Sequence, residues 1–411
     1  MRILITSLQV SEGGSKGHLH PAVELALEAK RKGHEVAILP IPSRLGEEDT
    51  LQLQRANIQY IPPPLLPKAI IKTPNELAQL AADSTQVHLA YSSFLIEPIE
   101  FQRNGIEKIL EGFKPDVILY DLMVYSVPLI GRKLGIPDVG YCAGLKLIAP
   151  ESLLDTYAEV ARKLKSQRNE IIYTMTDDPH FHHLELLSKN GQFVFAPEGL
   201  FASERSEQFK TIFAGALPIS ENRSDQKDKK FKTSQGDSIV LSFGSVLDPA
   251  DFPQITQAVI DASKNLELKL IIGSKKMAKI GELPSHVEAY TYLPISQLIP
   301  YAKAYIHHGG ANSFSEALRL SAKQILIPLT TDQPIQAHYL KKLRAGISIE
   351  PKNVSESSIR SSIVRLSNKE DEACASIENT CHEYQKASGA TTAISFLEKM
   401  ISGGITETPY D

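Results

Sequence analysis

The residues best equipped for chemistry lie in the run Ala304-Tyr305-Ile306-His307-His308-Gly309-Gly310-Ala311-Asn312-Ser313-Phe314-Ser315-Glu316. An apolar strand passes through a two-glycine turn into a helix. Gly309 and Gly310 let the backbone come close to a ligand. Asn312 and Ser313 add amide and hydroxyl donors to the free N–H groups at the positive end of the helix dipole. A diphosphate fits such a place, although an ordinary strand-to-helix turn with an N-cap uses the same residue types. His307 and His308 are neighbours on the strand and point to opposite faces, so only one addresses the anion, and His308 is the expected one.

Other clusters are weaker. His18 and His20 have metal-like spacing, but Pro21 follows directly and no cysteine or carboxylate is close in sequence. The run Asp177-Asp178-Pro179-His180-Phe181-His182-His183 also resembles a metal cluster, yet Pro179 suits a solvated helix start. No metal is expected at either place. Gly13-Gly14-Ser15-Lys16-Gly17 fails the phosphate-loop pattern, and no GxGxxG fingerprint supports a dehydrogenase. Tyr91, Phe94, Met123, Tyr125 and Tyr141 either line a pocket for an apolar ligand or belong to the core.

The elements that must position these residues alternate between strand and helix. Arg2 to Ser7 reads as a buried strand, the polar loop Ser11 to Gly17 follows, and a helix opens with Pro21 in its first turn and runs to Gly33. A second strand covers Glu35 to Leu39, which completes a right-handed βαβ unit with its ligand edge at the strands' C-terminal ends. Helices are expected over Glu76 to Leu95, Glu97 to Phe113 and Pro150 to Arg168, and a strand from Pro115 to Asp121. From Ser220 to Ser238 the composition turns polar with almost no apolar residues apart from Phe231, which marks a linker. A new alternation starts at Ile239, with a helix over 252–265 and strands at 268–272, near Val287, at 304–306 and at 324–327. The stretch Glu370 to Ile401 reads as mostly helical.

The 411 residues make two or three domains at about 150 residues each. Hydrophobic residues are 42% and charged residues 22%, ordinary for a globular protein. A net charge of −4 gives no footprint for nucleic acid. Three scattered cysteines form no disulfide framework, and no long apolar run or leader pattern occurs, so a soluble, cytoplasmic protein with no stable membrane insertion is expected.

On these motifs the chain resembles the nucleotide-sugar glycosyltransferases of the GT-B fold, the GT1 group that holds plant UDP-glucosyltransferases and bacterial macrolide glycosyltransferases. The family's His-x-Gly-x-Asn-Ser-x-x-Glu is matched by His308, Gly310, Asn312, Ser313 and Glu316, and its Pro-x-x-x-Asp-Gln by Pro328, Asp332 and Gln333. Leu241-Ser242-Phe243-Gly244-Ser245 is similar to the family's Ser-Phe-Gly-Ser/Thr, and Tyr292-Leu293-Pro294-Ile295 to its Trp-x-Pro-Gln. In the first half, Gly17-His18-Leu19-His20-Pro21 resembles Gly-His-x-x-Pro. The resemblance implies that Ser245, His308, Gly309, Gly310, Asn312 and Ser313 hold the donor diphosphate, Glu316 the ribose, Tyr292 the base, and Asp332 and Gln333 the sugar. It implies a general-base dyad of His18 and Asp121. Ile295 departs from the family's Gln and cannot hydrogen-bond to the nucleotide, which leaves UDP and dTDP both open.

The implied fold is α/β GT-B, two Rossmann-like doubly wound domains facing across a cleft. An acceptor domain spans 1–219, with a C-terminal helix at about 385–411 packing back on it; a linker spans 220–237 and a donor domain 238–384. The implied function is inverting transfer of a hexose, glucose foremost, from a nucleotide diphosphate sugar to a hydroxyl of a small, fairly apolar acceptor such as a natural product. No resident cofactor or metal is expected. The rivals are a sugar-nucleotide epimerase or lipid-intermediate glycosyltransferase of the same fold, and a non-catalytic nucleotide-sugar-binding protein.

Overall fold

The computed structural model describes the chain except residues 12–15, 69, 71, 74–75, 78, 81–82, 84, 176–178, 219–235, 331, 369 and 404–411. Most of the Ser11–Gly17 loop, most of the expected linker, and Asp177 and Asp178 lie outside the described residues. The chain divides into two units. Unit 1 comprises Met1–Phe195, Phe201–Leu217 and the segment from Ser388 onward, and unit 2 comprises Ala196–Leu200 and Pro218–Ala387.

Unit 1 holds a seven-stranded sheet, parallel throughout. Its strands are β1 (Arg2–Gln9), β2 (Glu35–Pro42), β3 (Gln59–Tyr60), β4 (Val117–Asp121), β5 (Asp138–Cys142), β8 (Gln192–Val194) and β9 (Thr211–Phe213), in the order β3-β2-β1-β4-β5-β8-β9. All of β1 after Arg2 is buried, which fits a strand covered on both faces. The first helix, Lys16–Arg31, turns Leu19, Ala22, Val23, Ala26 and Ala29 to the core at helical spacing, and its last turn carries Lys30 and Arg31 where cations suit the dipole. It begins earlier than the sequence reading placed it, so Pro21 lies in the second turn and not the first.

Residues 179–183 also depart from expectation. Where a helix start was anticipated, β6 (Phe181–His182) and β7 (Glu185–Leu186) form a small antiparallel hairpin. It is held by bonds that a helix could not make there: the Leu186 N–H donates to the Leu122 carbonyl at 2.8 Å and the Tyr120 hydroxyl to the Leu186 carbonyl at 3.0 Å. The expected rim helix is Asp155–Ile172, preceded by a 3-10 turn over Glu151–Leu153.

The helix Gly389–Ile401 returns to unit 1. Ala390, Ala393, Ile394 and Leu397 join the core around the first helix, and burying Ile394 and Leu397 contributes on the order of 2 kcal/mol each. Polar contacts frame the seam. Lys32 Nζ donates to Glu398 and Ser395 at 2.7 Å, and the Thr391 hydroxyl donates to Glu28 at 2.9 Å.

Unit 2 repeats the plan with β10 (Ser238–Ser242), β11 (Lys269–Gly273), β12 (Val287–Tyr290), β13 (Ala304–His307), β14 (Gln324–Leu326) and β15 (Ile347–Ser348). They are parallel and ordered β12-β11-β10-β13-β14-β15. The two-residue period of a strand sorts its side chains into two cores. Ile239, Leu241, Ile272 and Ile306 enter one cluster, while Val240, Ile271 and Tyr305 enter the other. Helices therefore cover both faces, the doubly wound arrangement. Among the described residues no helix is long and apolar enough to cross a membrane, and Cys142, Cys374 and Cys381 are free thiols.

Candidate active site

In a doubly wound sheet the ligand crevice opens at the C-terminal ends of the two strands where the winding reverses. In unit 1 those strands are β1 and β4, and in unit 2 they are β10 and β13. A histidine stands at each reversal.

In unit 1 the first turn of the helix after β1 carries His18, and Asp121 is the last residue of β4. His18 Nδ1 and Asp121 Oδ2 are 2.5 Å apart. Asp121 is buried and its other oxygen accepts the Met123 N–H at 3.0 Å, so the carboxylate is oriented from both sides. The His18 side chain keeps 24% of its surface exposed. A carboxylate on Nδ1 fixes the neutral imidazole as the tautomer whose lone pair is on Nε2, the form that accepts a proton.

The aromatic residues around this edge separate into two kinds. Tyr141 is buried and its hydroxyl donates to the Thr6 carbonyl at 2.8 Å, while the buried Tyr125 hydroxyl donates to the Leu184 carbonyl. Both belong to the core. Tyr91 and Phe94 are half-buried with ring centroids 5.4 Å apart, and Tyr157 meets Tyr91 edge-on at 6.4 Å. Met123 is likewise half-buried. No motif marks Lys146, which lies 3.5 Å from the buried Glu185 and 4.6 Å above the Tyr157 ring. Burial pushes the Glu185 carboxyl up and Lys146 opposes that rise.

In unit 2 His308 follows β13 and is nearly buried. Its ring is cradled by backbone: a Cβ on Gly310 would come within 2.6 Å of Nε2, and one on Gly244 within 2.8 Å of Cε1. Only glycine fits at either point. Gly244 and Gly309 also have φ of +77° and +89°, which other residues rarely adopt. His308 Nδ1 is buried without a hydrogen-bond partner, and burial lowers the ring's pKa to about 4 against the opposing pull of Asp332. The ring is neutral at pH 7, and Asp332 is near enough for its charge to be felt. Ser245 lies in the turn after β10, and Asn312 and Ser313 occupy the first turn of the helix Ala311–Arg319, capped by Gly310.

His307 faces the other way. It is fully buried, stacks on Tyr305 at 4.6 Å, is bonded to Gln324 Oε1 at 3.0 Å and accepts the Gly309 N–H at 3.2 Å. Its pKa falls to about 3 through burial. It shapes the turn.

Two residues given ligand roles by the motifs are engaged within the protein. Both oxygens of the buried Glu316 are forked by Arg319 at 2.7 and 2.9 Å, and Gln333 Oε1 accepts the N–H groups of Leu329 and Thr330 at 2.7 and 2.8 Å. Arg319 is three residues after Glu316 on the same helix, a partner legible in the sequence. Asp332 stays half-buried and accepts the Gln336 amide at 2.8 Å. Tyr292 is half-buried, and Ile295 packs against the cluster of Val240 and Leu298.

Two parallel-sheet α/β units with a histidine at each winding reversal make a GT-B architecture. Residues 257–386 match the family model described as "Erythromycin biosynthesis protein CIII-like, C-terminal domain". The chain is 20% identical to the NDP-glycosyltransferase YjiC of Bacillus subtilis (strain 168), over 93% of this chain and 94% of that one. It is 24% identical to the aclacinomycin-T 2-deoxy-L-fucose transferase of Streptomyces galilaeus, over 89% and 88%. The solved structure of the spinosyn rhamnosyltransferase SpnG, complexed with thymidine diphosphate, shares the fold with a TM-score of 0.71, 18% identity and coverage of 97% and 100%. The fold is thus GT-B, and the relatives that the chain resembles along most of its length are glycosyltransferases, one of them a natural-product deoxysugar transferase.

Proposed function

We propose that the chain is an inverting glycosyltransferase that moves a hexose or deoxyhexose from a nucleoside diphosphate to a hydroxyl of a small, fairly apolar acceptor. The 2.5 Å contact of His18 with the buried Asp121 carries this reading. An acceptor hydroxyl has a pKa far above 7 and must lose its proton as it attacks the anomeric carbon, and an imidazole with its lone pair on Nε2 is a base suited to neutral pH. Asp121 holds the ring and stabilises the imidazolium that forms. A single displacement inverts the anomeric configuration.

Unit 1 is then the acceptor unit, with Tyr91, Phe94 and Met123 facing the apolar substrate, and unit 2 the donor unit. The leaving diphosphate meets the N-terminus of Ala311–Arg319, the Asn312, Ser313 and Ser245 side chains, and neutral His308, which has an N–H to donate. Asp332 takes the sugar hydroxyls and Tyr292 the base. Glu316 and Gln333 serve this site from behind, holding Arg319 and the 329–330 loop in place. The sugar nucleotide is a co-substrate. Three unpaired cysteines suit a reducing cytoplasm. Names of relatives that carry deoxysugars support a donor range wider than glucose.

Calorimetric titration with UDP, dTDP and their glucose conjugates tests the reading, followed by turnover with a panel of phenolic and macrolide acceptors. Binding of one nucleotide with transfer to some acceptor is expected. No nucleotide binding overturns the donor assignment, and binding without turnover across the panel favours a binding protein.

A further inference from the structure

Glu151, His182 and His183 form a donor set in unit 1 that sugar transfer does not use. One nitrogen of each imidazole and one carboxylate oxygen lie within 4.8 Å of one another. Successive residues of a strand point to opposite faces. Here His183 takes a φ of +52° as the hairpin turns, and the two rings meet at 4.6 Å between centroids. Phe209 packs on the His182 ring at 4.9 Å, and Arg168 supports the hairpin by lying 4.2 Å over Phe181 and donating to the His183 carbonyl at 3.4 Å.

The set has an unmet demand. His182 Nε2 is buried without a hydrogen-bond partner, which is uncommon for a ring nitrogen shut away from water. His183 Nε2 is already 3.2 Å from Glu151 Oε2. The Glu151 side chain is 76% exposed and so gives an ion a way in from solvent. The nearby Lys146 is paired with Glu185 and does not oppose a cation with its full charge.

We propose that Glu151, His182 and His183 bind a divalent transition-metal ion of the zinc type, with water completing a tetrahedron. Two imidazoles and one carboxylate suit zinc, whereas magnesium and calcium prefer oxygen donors throughout. Donors at about 2.0–2.1 Å from such an ion stand about 3.3 Å apart. His183 and Glu151 meet that spacing already, and rotation of side chains closes the rest. The ion ties the turn Glu151–Leu153, which leads into the helix Asp155–Ile172, to a hairpin bonded to Tyr120 and Leu122 on either side of Asp121. It is a brace behind the catalytic carboxylate and takes no part in the reaction.

The test is titration of the chelator-stripped protein with Co²⁺, followed by displacement with Zn²⁺ and a thermal melt with and without Zn²⁺. The expected result is one equivalent of Co²⁺ with the intense visible bands of four-coordination, and a higher Tm with Zn²⁺. His182→Gln and His183→Gln each weaken binding by more than about 100-fold, beyond the range for outer-shell changes. Glu151→Gln, at an exposed position that leaves folding intact, weakens it at least about tenfold. No uptake by the wild type, only the pale six-coordinate spectrum, or undiminished uptake by Glu151→Gln overturns the proposal. Nucleotide binding to unit 2 is read separately, so failure here and failure of the transferase reading are distinct.

Discussion

His18 and His308 both stand at the winding reversal of sheets wound in the same way, His18 after the first strand of the reversal pair and His308 after the second, and their surroundings differ in kind. His18 has a buried carboxylate on Nδ1 and part of its ring in solvent. His308 has no partner on Nδ1 and a glycine backbone on two sides. In the first the ring faces a carboxylate that favours its charged form; in the second, burial keeps the ring neutral against the pull of Asp332. Topology chose the two locations, and side chains one layer away decided what each histidine is for.

The sharpest break in this comparison is His18→Ala, expected to lower transfer by about 10³-fold or more, with Asp121→Asn lowering it about 100-fold. Nucleotide affinity measured by calorimetry should stay within a few-fold in both. A large loss of nucleotide binding in His18→Ala would mean that the two histidines share one task. Next is Gly310→Ala, whose new methyl overlaps the His308 ring and should cost at least about tenfold in nucleotide affinity while base catalysis in unit 1 is untouched. Gly112→Ala is its control: nothing lies within 4 Å of the added carbon, and a helix gains up to about 1 kcal/mol from the change.

The neutral rings of unit 2 give a pH signature. The folded pKa values of about 4 for His308 and about 3 for His307 lie below the unfolded value of 6.5. Between pH 6.5 and about 4 the unfolded chain therefore binds more protons, and stability falls as pH falls. Across their windows the two rings account for on the order of 3 kcal/mol at His308 and about 5 kcal/mol at His307. Urea melts of His307→Gln between pH 7 and 4 should show a shallower slope than wild type, and an unchanged slope would refute the assignment. The smallest effect is expected at Ile295→Gln, where a gained hydrogen bond of about 1 kcal/mol is set against lost packing, changing the UDP-to-dTDP preference by no more than a few-fold.

Much of this was legible in the sequence because the strands that position the site are long and apolar. The motif residues follow directly from their ends. Three features were not legible. Strands β3, β8 and β9 have two or three residues each and carry no periodicity. The hairpin β6–β7 is set by bonds to Tyr120 and Leu122, far from it in the chain. The grouping of His182 and His183 with Glu151 joins residues about 30 apart in the chain, which local spacing does not reveal. Glu316 and Gln333 add a related point: a motif names a residue but not the bonds that residue makes within the protein.

The helix Gly389–Ile401 completes a core begun by the first strand and helix, although all of Pro218–Ala387 intervenes. A ribosome therefore delivers every residue of unit 2 before it delivers the last wall of unit 1. During synthesis the second unit can close first, while the apolar stripe of Lys16–Arg31 waits uncovered for its partner. A chain interrupted just after Ala387 would carry all of the second unit but an unfinished first one, and that exposed stripe is where a chaperone or a protease would find it.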